Sequence, residues 1–178
     1  EGDVPVETLQ PGDLVTTRDH GSQPLRWIGS RRVQAEGEFA PILIRAGSFG
    51  SHRDLMVSPQ HRILLRDAYA ELLFGEGEVL VAAKDLLNGG SISRQFGGDV
   101  TYVHLLFDQH QVIYSEGLTT ESFLPGPQTA ELFDQPILQE IYALFPELDP
   151  ETGFGYSASV RPGLRGFEGK LLAAMQAA

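Results

Sequence analysis

The chain has 178 residues, 42% of them apolar and 21% charged, a balance that suits one globular domain with a continuous core and excludes disorder over most of its length. Its 24 acidic and 13 basic side chains give a formal net charge of -11, which repels phosphate backbones and argues against nucleic acid as a partner. There is no cysteine, so disulfides, thiolate zinc sites and cysteine nucleophiles are excluded within these residues, and no apolar run approaches the roughly 18 residues of a membrane span.

The opening, Glu1 to Val15, has no basic start followed by an apolar stretch and does not begin with Met, so it reads as the interior of a longer polypeptide. From Val4 to Phe123 the apolar residues come in short runs separated by turn signals, the pattern of many short strands. Gln10-Pro11-Gly12-Asp13 predicts a tight turn, with Val4-Pro5-Val6 and Leu14-Val15 as the arms of a hairpin. Strands are predicted next at Leu25 to Ile28, Ile42 to Ile44, Leu55 to Val57, Ile63 to Leu65 and Val79 to Val81. Asn88-Gly89-Gly90 and Gly97-Gly98-Asp99 bound a loop or edge hairpin anchored by Ile92 and Phe96. Tyr102 to Phe107 and Gln111 to Tyr114 are two strands meeting at the polar corner Asp108-Gln109-His110.

After Pro125-Gly126-Pro127 the period changes. Ile137, Leu138, Ile141, Leu144 and Phe145 recur at helical spacing, with Asp134 before Pro136 as the start and Pro146 as the stop. A second helical pattern runs through Leu164, Phe167, Leu171, Leu172 and Met175, and the Gly-rich segment Asp149 to Ser159 between them is a loop. The fold class is therefore mainly β, a twisted β domain over residues 1–125 with a C-terminal helical appendage of about two helices over 126–178 packed on it.

Two clusters can carry chemistry. Ser58-Pro59-Gln60-His61 lies between two apolar runs, where a hydroxyl can hold a carbonyl while the imidazole donates a proton to a departing nitrogen; the same residues also fit a local turn with a half-buried histidine. His104, Asp108 and His110 form the second cluster. Asp108 can orient or activate His110, or it can simply close an Asx-type turn at a solvated corner, and His104 can equally be a core histidine. The five histidines lack the spacing of a metal site, and no calcium loop, phosphate cradle or serine-hydrolase elbow is present, so neither a metal nor a cofactor is expected.

Three stretches, in this order, resemble one family. Gly2 to Val15, containing Gly2-Asp3-Val4-Pro5-Val6-Glu7 and Pro11-Gly12-Asp13, is similar to the segment that follows the nucleophile in Hint domains, the module shared by inteins and hedgehog autoprocessing proteins. Val57-Ser58-Pro59-Gln60-His61 resembles their [TS]-x-x-H motif, and Asp108 to Leu118 with Glu121-Ser122-Phe123 resembles their late motif with its Asp and His. The likeness covers about residues 2 to 125 and is greatest to a bacterial subfamily that also carries a helical tail.

The resemblance implies a horseshoe-like β fold and an intramolecular acyl shift, in which a Cys or Ser attacks the preceding peptide carbonyl to give a thioester or ester. It implies Ser58 as the group that polarises the scissile carbonyl, His61 as the donor to the leaving nitrogen, and Asp108 and His110 as assistants of the later step. The substrate is then the domain's own N-terminal flanking polypeptide. The nucleophile is expected about ten residues before Gly2, outside this chain, so the fragment by itself is expected to be inactive. No Asn followed by Cys, Ser or Thr stands at the end of the late motif, so N-terminal cleavage is expected and complete splicing is not. Membership of an exported bacterial protein is an expectation by family alone. Two readings compete with autoprocessing: a noncatalytic binding or spacer module of a larger protein and, more weakly, a small metal-dependent hydrolase.

Overall fold

A computed structural model describes residues 2–149 and 151–176; Glu1, Pro150, Ala177 and Ala178, which fall within the two predicted regions, lie outside the described residues. The strands are β1 (Leu14–Thr17), β2 (Gly21–Pro24), β3 (Trp27–Gln34), β4 (Ile42–Ile44), β5 (Leu55–Val57), β6 (Arg62–Arg66), β7 (Glu78–Ala82), β8 (Ile92–Arg94), β9 (Asp99–Leu106), β10 (Val112–Ser115) and β11 (Leu118–Glu121). The helices are α1 (Ala68–Phe74), α2 (Thr129–Leu132), α3 (Gln135–Leu144) and α4 (Gly166–Gln176). The strands form an antiparallel six-stranded sheet in the order β2-β1-β10-β11-β6-β7, a three-stranded sheet β5-β4-β8, and the long ribbon β3-β9. The chain is mainly β with a helical appendage, as its patterning predicts.

The β10–β11 hairpin shows how local sequence sets register. Ser115 pairs with Leu118, and the two residues between them, Glu116 and Gly117, have φ of 52° and 86°. A two-residue turn with both φ values positive matches the twist of its strands, and Gly117 accepts that conformation without strain. Arg53 donates its backbone N–H to the Glu116 carbonyl at 2.9 Å and its guanidinium to the Glu116 carboxylate, which holds the less suited residue in place.

The largest cluster of buried side chains lies between the six-stranded and three-stranded sheets, with Ile42, Ile44, Val57, Ile63, Leu65, Val79, Val81 and Leu86 at its centre and Leu172 of α4 closing it. A second gathers Trp27 and Leu106 of the ribbon with Phe133, Leu138, Ile141 and Leu148 of the C-terminal region. Trp27 stands edge-on to Phe133 at 5.4 Å between centroids, and its Nε1 donates to Glu140 of α3 at 3.2 Å. The appendage therefore completes two cores, so its helices are docked by apolar burial on the β body.

Several local expectations differ from the structure. Val6–Thr8 is a turn of 3-10 helix, because Pro5 has no N–H for a ladder and its carbonyl instead takes the Thr8 N–H at 3.0 Å. The hairpin partner of β1 is β2, joined through Arg18-Asp19-His20. Helix α1 was not predicted from the apolar pattern, being only seven residues long, but its ends are marked: Asp67 caps it by accepting the Tyr69 N–H, and Gly75 closes it with φ 74°. β9 and β10 do meet at the Asp108 to His110 corner, yet they belong to different sheets. Ile92 is buried as an anchor, whereas Phe96 is 68% exposed because β8 ends at Arg94 before reaching it. In α4, Leu172 faces the core and Phe167 is 68% exposed. The appendage holds α2 as an additional short helix beside the two that were expected.

Candidate functional site

Ser58 to His61 is a tight turn joining β5 to β6. The His61 N–H donates to the Ser58 carbonyl at 3.1 Å, with Pro59 presetting the turn. Its outer side is fastened to the residues following β7, since Ala83 N–H donates to the His61 carbonyl at 3.0 Å and Lys84 N–H to the Pro59 carbonyl at 3.0 Å. Both ends of the turn are thus held by backbone bonds, which fixes the direction in which the His61 ring leaves the chain. His61 is half-buried as a residue, but its Nε2 is wholly buried and has no hydrogen-bond partner, alone in this among the described side chains. Burial holds its pKa below the ordinary histidine value; the Glu121 carboxylate opposes this, while Arg62 and His110 reinforce it.

Behind His61 lies a charged group that the sequence did not announce. Arg62, the next residue, gives its backbone N–H to Glu121 Oε1 at 3.0 Å, and its guanidinium reaches the same carboxylate from Nε at 2.9 and 2.8 Å and from Nη2 at 2.6 Å. The register that sets Thr120 opposite Ile63 brings Arg62 and Glu121 together at the ends of β6 and β11. His110 Nε2 lies 3.2 Å from Glu121 Oε2 and 3.2 Å from the Ser122 carbonyl. Because His110 Nδ1 accepts the Val160 N–H at 3.0 Å, the ring proton sits on Nε2 and donates. Burial alone would raise the Glu121 pKa, but the hydrogen bonds from His110 and Arg62, with the Arg62 charge, carry it below the usual carboxylate value.

Past β11 the chain crosses between sheets. Ser122 N–H donates to the Gln111 carbonyl and Phe123 N–H to the Leu105 carbonyl, each at 2.8 Å. Continuing the β6–β11 register sets Ser122 across from His61, and the Phe123 ring lies edge-on to His104 at 5.1 Å. His104, opposite Gly29 in the ribbon, also meets Phe133 edge-on at 5.1 Å. Its pKa is lowered to about 4, chiefly by burial, then by His61 and Arg31. Two uncharged imidazoles therefore border the same crossover.

The four residues singled out from the sequence do not form one constellation. Ser58 and His61 share a turn, whereas His110 bonds to Glu121 and to the Ser122 carbonyl and makes no hydrogen bond to Ser58 or His61. Asp108 faces away: its side chain is 63% exposed, stands 3.4 Å from Arg26, and raises the pKa of Tyr156, already raised by burial. His104, weighed as a core histidine, packs as one and yet borders the site. Arg62 was missed, and Glu121, although it stands in the stretch that resembles the late motif, was given no role; the signal was a single carboxylate inside the otherwise apolar and hydroxyl-rich run Leu118 to Phe123. Among the described residues no group of three or more His, Cys, Asp or Glu is placed to hold a metal ion, and no helix is long and apolar enough to cross a membrane.

An imidazole with a free buried nitrogen, a neighbouring hydroxyl and a carboxylate already neutralised by arginine can shuttle a proton next to a bound backbone. No curated protein and no solved structure matches the chain. The family model described as Hint domain matches residues 1–127, well over half of the sequence, and spans Ser58, His61, Asp108, His110 and Glu121. The chain belongs to the Hint domain family.

Proposed function

We propose that the chain is the body of an autoprocessing domain that cleaves the peptide bond at its own N-terminal junction through a thioester or ester. The observation that carries this reading is the buried Nε2 of His61, which has no partner. Leaving such a nitrogen unsatisfied costs about 1–3 kcal/mol, a cost offset when a reacting group comes within hydrogen-bond reach of it.

The depressed pKa of His61 orders the proton transfers. A neutral imidazole first takes the proton of a Cys or Ser supplied by the flanking polypeptide as its sulfur or oxygen adds to the scissile carbonyl carbon. The Ser58 hydroxyl donates to the carbonyl oxygen, where negative charge develops. The C–N bond then breaks, and His61 returns the proton to the departing nitrogen. Attack of a second nucleophile on the thioester or ester releases the flank. Asp108, at the exposed corner, is assigned to that later step, and His110 to holding Glu121 beside His61.

The test is intact mass over time of the polypeptide extended by about thirty of its natural upstream residues, with and without thiol or hydroxylamine. Loss of the flank that depends on the upstream nucleophile and is abolished by His61→Ala supports the proposal. The separation of Asp108 from His110 favours one other reading, a noncatalytic binding or spacer module. An extended polypeptide that stays whole, with Ser58 and His61 open to substitution, selects that reading.

A further inference from the structure

The segment Ser157 to Gly163 is part of the connection between the two long helices of the appendage and lies beyond the residues matched by the family model. It follows the open edge of the six-stranded sheet: Leu80 N–H donates to the Pro162 carbonyl at 2.8 Å, Leu164 N–H to the Leu80 carbonyl at 2.9 Å, and Leu80 and Gly163 form a parallel bridge. Arg161 fastens the segment with ion pairs to Glu78 at 2.9 Å and Asp19 at 2.8 Å, and Val160 packs on Leu64, Leu80 and Val112. Covering a bare strand edge is reason enough for such a strap.

Its inner face does something more specific. The Ser157 hydroxyl accepts the His110 backbone N–H at 2.6 Å, and the Val160 N–H occupies His110 Nδ1 at 3.0 Å. That second bond decides which ring nitrogen carries the proton, and so which end of the ring donates to Glu121 and to the Ser122 carbonyl. At Gly163 a Cβ would stand 2.5 Å from Arg62 Nη1, so the guanidinium rests against bare backbone while it holds both oxygens of Glu121.

We propose that the strap Ser157 to Gly163 is a positioning part of the site: through Val160 it sets the tautomer of His110, through Gly163 it seats Arg62, and together these hold the Glu121 carboxylate beside His61. The working unit of the domain then extends past the family's boundary into the helical appendage. The functional consequence rests on the autoprocessing reading; the geometric one does not.

The test uses the 178-residue chain and nuclear magnetic resonance of its imidazoles. Val160→Pro removes the N–H and is expected to populate the Nδ1–H form of the His110 ring. Gly163→Ala pushes against the far end of a flexible side chain, so the fold survives. Arg62 lowers and Glu121 raises the His61 pKa, so displacing the guanidinium is expected to move the His61 titration midpoint up. In the extended polypeptide, Gly163→Ala is expected to slow flank loss about tenfold and to move its pH profile in step with the His61 midpoint. A folded Gly163→Ala chain whose His61 midpoint matches that of the unaltered chain, or a folded Val160→Pro chain whose His110 ring keeps its proton on Nε2, overturns the proposal. If the unaltered extended polypeptide never cleaves, the autoprocessing reading fails, and the His61 midpoint still decides whether the strap positions the site.

Discussion

Replacing His104 with Phe isolates one contribution to the acid sensitivity of the fold. The phenyl ring retains the edge-on contacts with Phe123 and Phe133 and removes the titrating group. In the folded chain the His104 pKa is lowered to about 4 from the ordinary 6.5. Below 6.5 the unfolded chain takes up a proton at this residue and the folded chain does not, so stability is complete above that value and falls with pH until about 4. One unit is worth about 1.4 kcal/mol, so the residue costs about 2 kcal/mol at pH 5 and about 3 kcal/mol at the end of the window. Urea unfolding followed by the fluorescence of Trp27, the single tryptophan, is the assay. With a slope of about 2 kcal/mol per molar, the midpoint of the unaltered chain is expected to drop about 1 M further between pH 7.5 and 5 than that of His104→Phe. His61, whose pKa is also lowered, contributes to both chains and cancels in the comparison. Equal drops in the two chains would refute the reasoning, since His104 would then protonate alike folded and unfolded.

The remaining predictions concern the same region. Glu121→Gln leaves Arg62 without its anion and is expected to cost about 3 kcal/mol at pH 7, measured by the same unfolding, and to stop cleavage in the extended polypeptide. Gly29→Ala drives a methyl into the Trp27 ring; a loss of about 2 kcal/mol with a red shift of Trp27 emission is expected. Asp108→Asn breaks only a solvent-exposed pair, so the unfolding midpoint should stay within about 0.5 kcal/mol of the original while the release step slows. In the proposed mechanism neutral His61 accepts the first proton, so the rate of the proposed acyl shift is expected to rise with pH through a midpoint below 6.5 and level off by neutrality, as read by hydroxylamine trapping.

How far the sequence could be read depended on whether a feature is local. Strand β6 is bounded by Pro59 and Asp67, and α3 by Asp134 and Pro146, so both are visible in a window of a dozen residues. The Ser58 to His61 turn was likewise legible, because Pro59 dictates its backbone. Pairing was not. Residues 108 and 110 look like neighbours on one face, but period-2 facing holds only inside a strand, and β9 ends at Leu106 while β10 begins at Val112. In the corner between them Asp108 turns out toward Arg26 and His110 turns in toward Glu121.

The same distinction explains why the pairing of Glu121 with Arg62 escaped notice. Fifty-nine positions separate it from Arg62, and nothing in either neighbourhood says that β11 will lie beside β6. Once it does, the backbone of His61 and the carboxylate of Glu121 are placed by one register, and a slip of a single residue would turn the carboxylate to the other face of the sheet. A buried carboxylate without its arginine is costly, so wrong registers are penalised by the very pair that borders the candidate site. The Arg62–Glu121 clamp therefore ties folding to the layout of the candidate site: the alignment that neutralises the buried charge is the alignment that sets Ser122 and the chain crossover across from the backbone of His61.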